Sequence, residues 1–189
     1  MLEGLLQIDK ELFLWLNGLG NETWDGFWMF MTKTLNSLPI YLLLLYLTLR
    51  TFGWKRTLVV LLAIALTIVC TDQLSNFFKY GLGRLRPCHD PQVSGIMRLV
   101  KSYCGGRYGY FSAHASNSFG AAIFFVVLLR GKVRYIGTIL VLWACVVAYS
   151  RIYIGVHYPL DVLSGALVGT FFGWLFASLA QFIFQKMPA

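Results

Sequence analysis

Apolar residues gather in five blocks along the chain, at about 36–52, 57–78, 113–129, 133–150 and 159–184. Each comes close to the roughly 20 apolar residues that a helix needs to cross a bilayer. Short polar connections separate them, except for one longer loop over about 80–111, rich in Gly, Arg, Cys and Pro. The pattern predicts an all-α integral membrane bundle of about five or six spans, with a kink at Pro39 if the first span extends towards the N-terminus. Ahead of the blocks, residues 2–18 have a helical rhythm. Leu2, Leu5, Leu6, Leu12, Phe13 and Leu16 share a face, and Glu3, Lys10 and Asn17 are more polar. Asp9 and Glu11 argue against a span, so an amphipathic helix lying in the membrane interface is expected. The aromatic run 24–30 suits the same depth. Residues 1–34 are thus an interfacial segment, and 1–189 form one membrane domain without internal repeat or linker.

Composition agrees. Of 189 residues, 58% are hydrophobic, mean hydropathy is +0.66, and only 13% are charged, about half the share of a soluble domain. So small a water-soluble core could not hide that much apolar side chain. The first twenty residues carry acids and no basic leader region, so insertion is expected to use the internal segments. The formal charge of +8 sits in the connections and the long loop. This fits lipid headgroups and an anionic substrate better than a basic groove for polynucleotide. Arg50, Lys55 and Arg56, with Arg130, Lys132, Arg134 and Lys186, fall on one side of a five-span bundle, which the positive-inside rule makes cytoplasmic. The opposite loop is also basic, through Lys79, Arg84, Arg86, Arg98, Lys101 and Arg107. It counts less towards orientation because several of these bases have a chemical use.

Three clusters carry that chemistry, each where a span meets the same membrane side. Lys79-Tyr-Gly-Leu-Gly-Arg84-Leu-Arg86-Pro87 leaves the second span, Phe111-Ser112-Ala113-His114 enters the third, and Ser150-Arg151-Ile-Tyr-Ile-Gly-Val-His157-Tyr-Pro-Leu-Asp161 joins the fourth to the fifth. Lys79, Arg86 and Arg151 bring three cations suited to phosphate oxygens. Ser112 stands at an N-cap, where the N–H groups of Ala113 and His114 open a helix to an anion. Asp161, one helical turn beyond His157, can orient its ring and leave the other nitrogen free to attack phosphorus. His114 is a second imidazole, placed to protonate a leaving oxygen. Cations and helix N–H groups supply what phosphoryl transfer needs without a metal or other cofactor.

The series K-x6-R-P, then Ser-x-His, then S-R-x5-H-x3-D resembles the three-part signature of the type 2 phosphatidic acid phosphatase superfamily, across about two-thirds of the chain. The resemblance implies that His157 is the nucleophile and forms a phosphohistidine, that Asp161 orients it, and that His114 is the general acid. It implies that Lys79, Arg86, Ser112, Ala113 (through its backbone) and Arg151 hold the phosphate. The second motif departs from the family's usual P-S-G-H by reading Phe111-Ser112-Ala113-His114. This keeps the backbone donor but excludes a glycine-only conformation.

Four cysteines remain. Cys70 and Cys145 lie in apolar spans and are expected to be inert core residues. Cys88 and Cys104 share the polar loop and can pair if it faces an oxidising compartment. A zinc site from Cys88, His89 and Cys104 is the alternative, without an evident fourth ligand. Asp72, Asn76 and Lys79 share a helix face, with Asp72 read as structural support. Ser116 and Asn117 are read as interhelical hydrogen-bonding groups, and Gly165, Gly169 and Gly173 as sites of close helix packing. The leading expectation is a lipid phosphatase of a bacterial cytoplasmic membrane, with its site facing the periplasm or outside. Its candidate substrates are undecaprenyl diphosphate, phosphatidylglycerophosphate, phosphatidate and lipid A phosphates. A lipid phosphotransferase using the same intermediate and a non-catalytic binder or transporter of anionic lipids are the alternatives.

Overall fold

A computed structural model describes residues 2–187; Met1, Pro188, Ala189 and the side chain of Leu2, expected on the first helix's apolar face, lie outside the described residues. Six helices follow in order: α1 (Leu2–Gly18), α2 (Glu22–Met31), α3 (Leu38–Leu82), α4 (Ala113–Leu129), α5 (Ile136–Tyr153) and α6 (Pro159–Lys186). The third is two legs. Gly53 leaves helical geometry at φ 74° and ψ 173°, a conformation that a residue without Cβ takes readily. Leu45 and Thr48 from one leg face Thr57 and Leu61 from the other across a shared cleft, so 38–52 and 54–82 run antiparallel. The kink expected at Pro39 is therefore at Gly53. Pro39 lies in the first turn, where its missing N–H has no intrahelical partner to lose.

Three apolar stretches are long enough to cross a membrane: Thr34–Leu82, Ile136–Tyr153 and Pro159–Lys186, with Ala113–Leu129 as a shorter apolar helix. The break at Gly53 makes five apolar legs. Their outer faces carry Leu43, Leu62, Leu142, Leu167, Phe171 and Trp174, all exposed, which requires lipid as solvent. The interior is built from small residues. Thr48, Thr67 and Thr71 are fully buried, and each hydroxyl donates to the carbonyl four residues earlier, at 2.7–2.9 Å. Such back-bonding hides the polar group and lets helices approach. The expected close packing of the last span is internal: a Cβ at Gly165, Gly169 or Gly173 would strike the backbone of Ser112, Ser116 or Gly120 on α4.

Asn117 does bridge helices, donating to Asp72 Oδ1 at 2.9 Å and accepting from Thr71 at 2.6 Å. Ser116 instead donates to Ala113 O within its own helix. Cys145 is exposed on the lipid-facing surface, contrary to the core position expected.

The amphipathic segment differs most from expectation. α1 turns Asp9 and Asn17 inward, 3% and 1% exposed, beside the fully buried Phe13, whereas Leu5, Ile8, Leu12 and Trp15 face outward. Asp9 accepts from Leu160 N at the start of α6. Asn17 donates to the Ile152 and Tyr153 carbonyls at the end of α5. The helix therefore lies across one end of the bundle and adds no sixth span. The α3 helix extends to Leu82, so the polar loop covers 83–112 in place of 80–111.

Candidate active site

The end of the bundle under α1 collects the three clusters read from the sequence. α3 delivers Lys79 in its last turn, α4 begins with Ala113 and His114, α5 ends with Arg151, and α6 opens just after His157 with Asp161 in its first turn. The starts of α4 and α6 are tied directly, because Ser112 N donates to Asp161 O at 2.9 Å. Ser112 is the N-cap, with its hydroxyl accepting from Ala115 N, so the N–H groups of the first turn have no intrahelical acceptor.

The polar loop folds back on itself. Leu85 bridges Tyr108 in antiparallel fashion, Arg86 N donates to Arg107 O, and Gly109 N donates to Arg84 O. Arg86 Nε donates to Tyr108 O at 3.2 Å, which aims its guanidinium at the site. Cys88 and Cys104 are joined by a disulfide with Cα atoms 6.1 Å apart. The Cys88–His89–Cys104 cluster follows from this bridge, which consumes the thiolates that a zinc site would need. Closing a loop of this length stabilises by about 3 kcal/mol in the chain-entropy account. Alkylation without reductant should leave Cys88 and Cys104 unmodified. Cys88→Ser should lower the melting temperature of detergent-purified protein and also weaken catalysis by loosening Arg86.

The loop's bases divide into two kinds. Arg84 pairs with Asp9 at 2.5 Å and with Asp161 at 2.7 Å, and Arg98 pairs with Asp25 at 3.0 Å. Among the described residues, Lys79, Arg86 and Arg151 form no salt bridge with any carboxylate. Arg151 is buried, donates to Thr32 Oγ1 at 2.5 Å, and keeps an unpartnered Nε. These three unpaired cations surround a buried imidazole. His157 is 2% exposed, and its pKa is pushed well below the ordinary histidine value by burial first and then by Arg86, Arg151 and Lys79. The ring is thus held neutral. Its Nδ1 lies 3.5 Å from Asp161 Oδ2 and has no hydrogen-bond partner.

His114 is close enough for the charges of Arg151, His157 and Arg86 to act on it. It lines a small cavity of about 70 Å³ with Thr32, Asn117 and Trp143. That cavity shares Thr34, Tyr41 and Asn117 with an apolar cleft of about 440 Å³ between the two legs of α3 and α4. His114 thereby stands next to the apolar cleft. Phe111, which opens the second cluster, is buried.

Two charged residues of this end escaped the sequence reading. Arg84 was counted only among the loop's bases, and Asp9 only as a mark against a span. The signal available for Asp9 was an acid inside an apolar helical stretch, a costly placement unless it meets a partner. Arg84 offered no signal, since an arginine two residues from Arg86 looks the same in sequence.

A family model described as the PAP2 superfamily matches residues 56–185. The chain is 42% identical over 191 residues to a lipid A 4'-phosphatase of Bacteroides thetaiotaomicron, covering 100% of this chain and 82% of that protein. It is 35% identical to a lipid A 4'-phosphatase of Porphyromonas gingivalis, covering 91% and 72%. The crystal structure of Aquifex aeolicus LpxE superposes with a TM-score of 0.66 at 29% identity, covering 89% of this chain and 93% of that one. The matched span runs from the second leg of α3 almost to the end of α6 and contains all three clusters, so this chain belongs to the PAP2 superfamily.

Proposed function

We propose that this chain, a membrane lipid phosphatase of the PAP2 type, removes phosphate from lipid-linked phosphates through a phosphohistidine on His157, with the 4'-phosphate of lipid A as its substrate. The observation that carries the chemistry is the convergence of three cations without carboxylate partners on a buried imidazole that faces Asp161. Three cations around one imidazole favour a multiply charged anion, and a phosphate is one. Lys79, Arg86, Arg151 and the first-turn N–H groups of Ala113 and His114 hold the equatorial oxygens, where charge spreads during phosphoryl transfer. Asp161 faces Nδ1, which leaves Nε2 to attack. The N–P bond forms as the P–O bond to the lipid breaks, and His114 gives its proton to the departing oxygen. Water then attacks the phosphohistidine with His114 as base, releasing phosphate and free His157. The apolar cleft beside His114 suits a lipid's hydrocarbon part.

The substrate rests on the two lipid A 4'-phosphatase relatives. Placement of the site on the outer side of a bacterial cytoplasmic membrane rests on two features at opposite ends of the bundle. The disulfide is at the site end, as an oxidising compartment allows. Arg50, Lys55, Arg56, Arg130, Lys132 and Arg134 flank the far connections, as cytoplasmic loops do.

A panel in detergent micelles tests the reading, with lipid A bearing a 4'-phosphate, lipid A bearing only a 1-phosphate, undecaprenyl diphosphate, phosphatidylglycerophosphate and phosphatidate. The expected result is fastest release of inorganic phosphate from the 4'-phosphate, unaffected by EDTA. Faster release from another lipid would overturn the substrate assignment, and no release from any would overturn the activity.

A further inference from the structure

Resting on the reading of His157 and Asp161 above, we propose that Asp9 and Arg84 are positioning residues that keep the Asp161 carboxylate facing the nucleophile, so that α1 is a working part of the active site. Asp161 is fully buried and has two oxygens to share. Oδ1 accepts from Arg84 Nη1 at 2.7 Å. Oδ2 accepts from Tyr158 N at 3.0 Å and faces His157 Nδ1 at 3.5 Å. A guanidinium beside one carboxylate tends to close on both of its oxygens as a bidentate fork. That fork would withdraw Oδ2 from the imidazole.

The structure prevents it by occupying the second arm. Arg84 Nη2 donates to Asp9 Oδ2 at 2.5 Å, and the other oxygen of Asp9 accepts from Leu160 N at 2.9 Å. Asp9 is thereby fixed to the same helical turn that carries Asp161. Arg84 cannot swing away, because its guanidinium lies 4.5 Å over the Tyr158 ring and its carbonyl accepts from Gly109 N. Two carboxylates share one guanidinium, so the group keeps a net negative charge to balance the imidazole as it becomes bonded to phosphorus. Beyond this point, α1 is held by a separate contact, from Lys10 to Asp90 at 2.7 Å and to Gln92.

That second contact makes the test selective. Wild type, Asp9→Asn and Lys10→Ala are compared in the lipid phosphate assay, with melting temperature and single-turnover phosphoenzyme formation measured alongside. Asp9→Asn keeps an oxygen for Leu160 N but loses the charge that holds Arg84. It is expected to lower kcat by about 10–100-fold, the scale of an ångström misplacement, with KM within about twofold and slowed phosphoenzyme formation. Lys10→Ala removes the bonds to Asp90 and Gln92 but leaves the hydrogen bond from Tyr158 to Asp90 and both carboxylate partners of Arg84 in place, and is expected to leave kcat within about twofold. Should Asp9→Asn not fold, Arg84→Lys, which keeps the charge but cannot fork between two carboxylates, must show the same loss of kcat at unchanged KM. A kcat for Asp9→Asn within threefold of wild type overturns the proposal, as does an equal loss in Lys10→Ala. An inactive wild type would overturn the parent reading and the inference with it, whereas an active wild type silenced by His157→Ala leaves only the Asp9 arm at stake.

Discussion

Replacing His157 by alanine reduces phosphate release by about 10⁴-fold or more, the scale seen when a covalent nucleophile is removed, while the protein still folds and binds its lipid. The expectation follows from what the pocket retains. Lys79, Arg86 and Arg151 still attract the phosphate, but no nitrogen remains to accept phosphorus. Substrate affinity from equilibrium binding should therefore change little, and acid-stable against acid-labile phosphoprotein analysis should find no phosphohistidine. The same residue fixes the pH behaviour. Burial and the surrounding cations hold the folded-state pKa of His157 well below its ordinary value. At pH values just under 6.5 an unfolded chain takes up this proton and the folded one does not. The stability contributed by the neutral ring is complete above the unfolded pKa and is lost as pH falls towards the folded one. For catalysis the nucleophile stays unprotonated through that window, so the acid limb of kcat/KM assigned to His157 lies below 6.5. A limb at 6.5 that disappears in a His157 variant would contradict this.

Gly169→Val should leave little folded enzyme. The added Cβ would overlap the Ser116 carbonyl and come within 2.9 Å of Gly120 N. These are backbone atoms inside a helix, which cannot rotate aside as a side chain can. α4 and α6 must then separate, and with them the bond from Ser112 N to Asp161 O that joins the two halves of the site. Overpacking of this kind costs about 3 kcal/mol or more, a drop of roughly 6–12 °C in melting temperature for a chain of this size. Activity should fall in parallel. Gly26→Ala is the control, since nothing lies within 4 Å of a Cβ there, and its melting temperature should be unchanged or slightly higher.

The spans and the clustered residues were legible because both are written locally. A bilayer demands long apolar runs, and each of the three motifs arrives at the same end once the runs are counted. The unreadable part is relational. Arg84 and Arg86 are two residues apart and chemically identical, yet one is consumed by carboxylates and the other is free. Only the fold distinguishes them. The direction of α1 was hidden for another reason. Its rhythm of apolar and polar positions was read correctly, but a rhythm does not say which face meets the protein. The buried side of α1 carries Asp9 and Asn17 beside Phe13, and Leu5, Ile8, Leu12 and Trp15 face outward. The break at Gly53 was missed in favour of Pro39 because proline marks itself as a helix breaker, whereas glycine acts only where the backbone demands a left-handed residue.

The placement of α1 also bears on the order of assembly. Asp9 meets Leu160 across 151 positions of chain, and Asn17 meets Tyr153 across 136. α1 is made before α5 and α6, so the bond from Leu160 N to Asp9 and those from Asn17 to Ile152 and Tyr153 form only once those helices are present. Until α6 has entered the bilayer the candidate site lacks Asp161, and a nascent chain ending at α5 is expected to release no phosphate from a lipid phosphate.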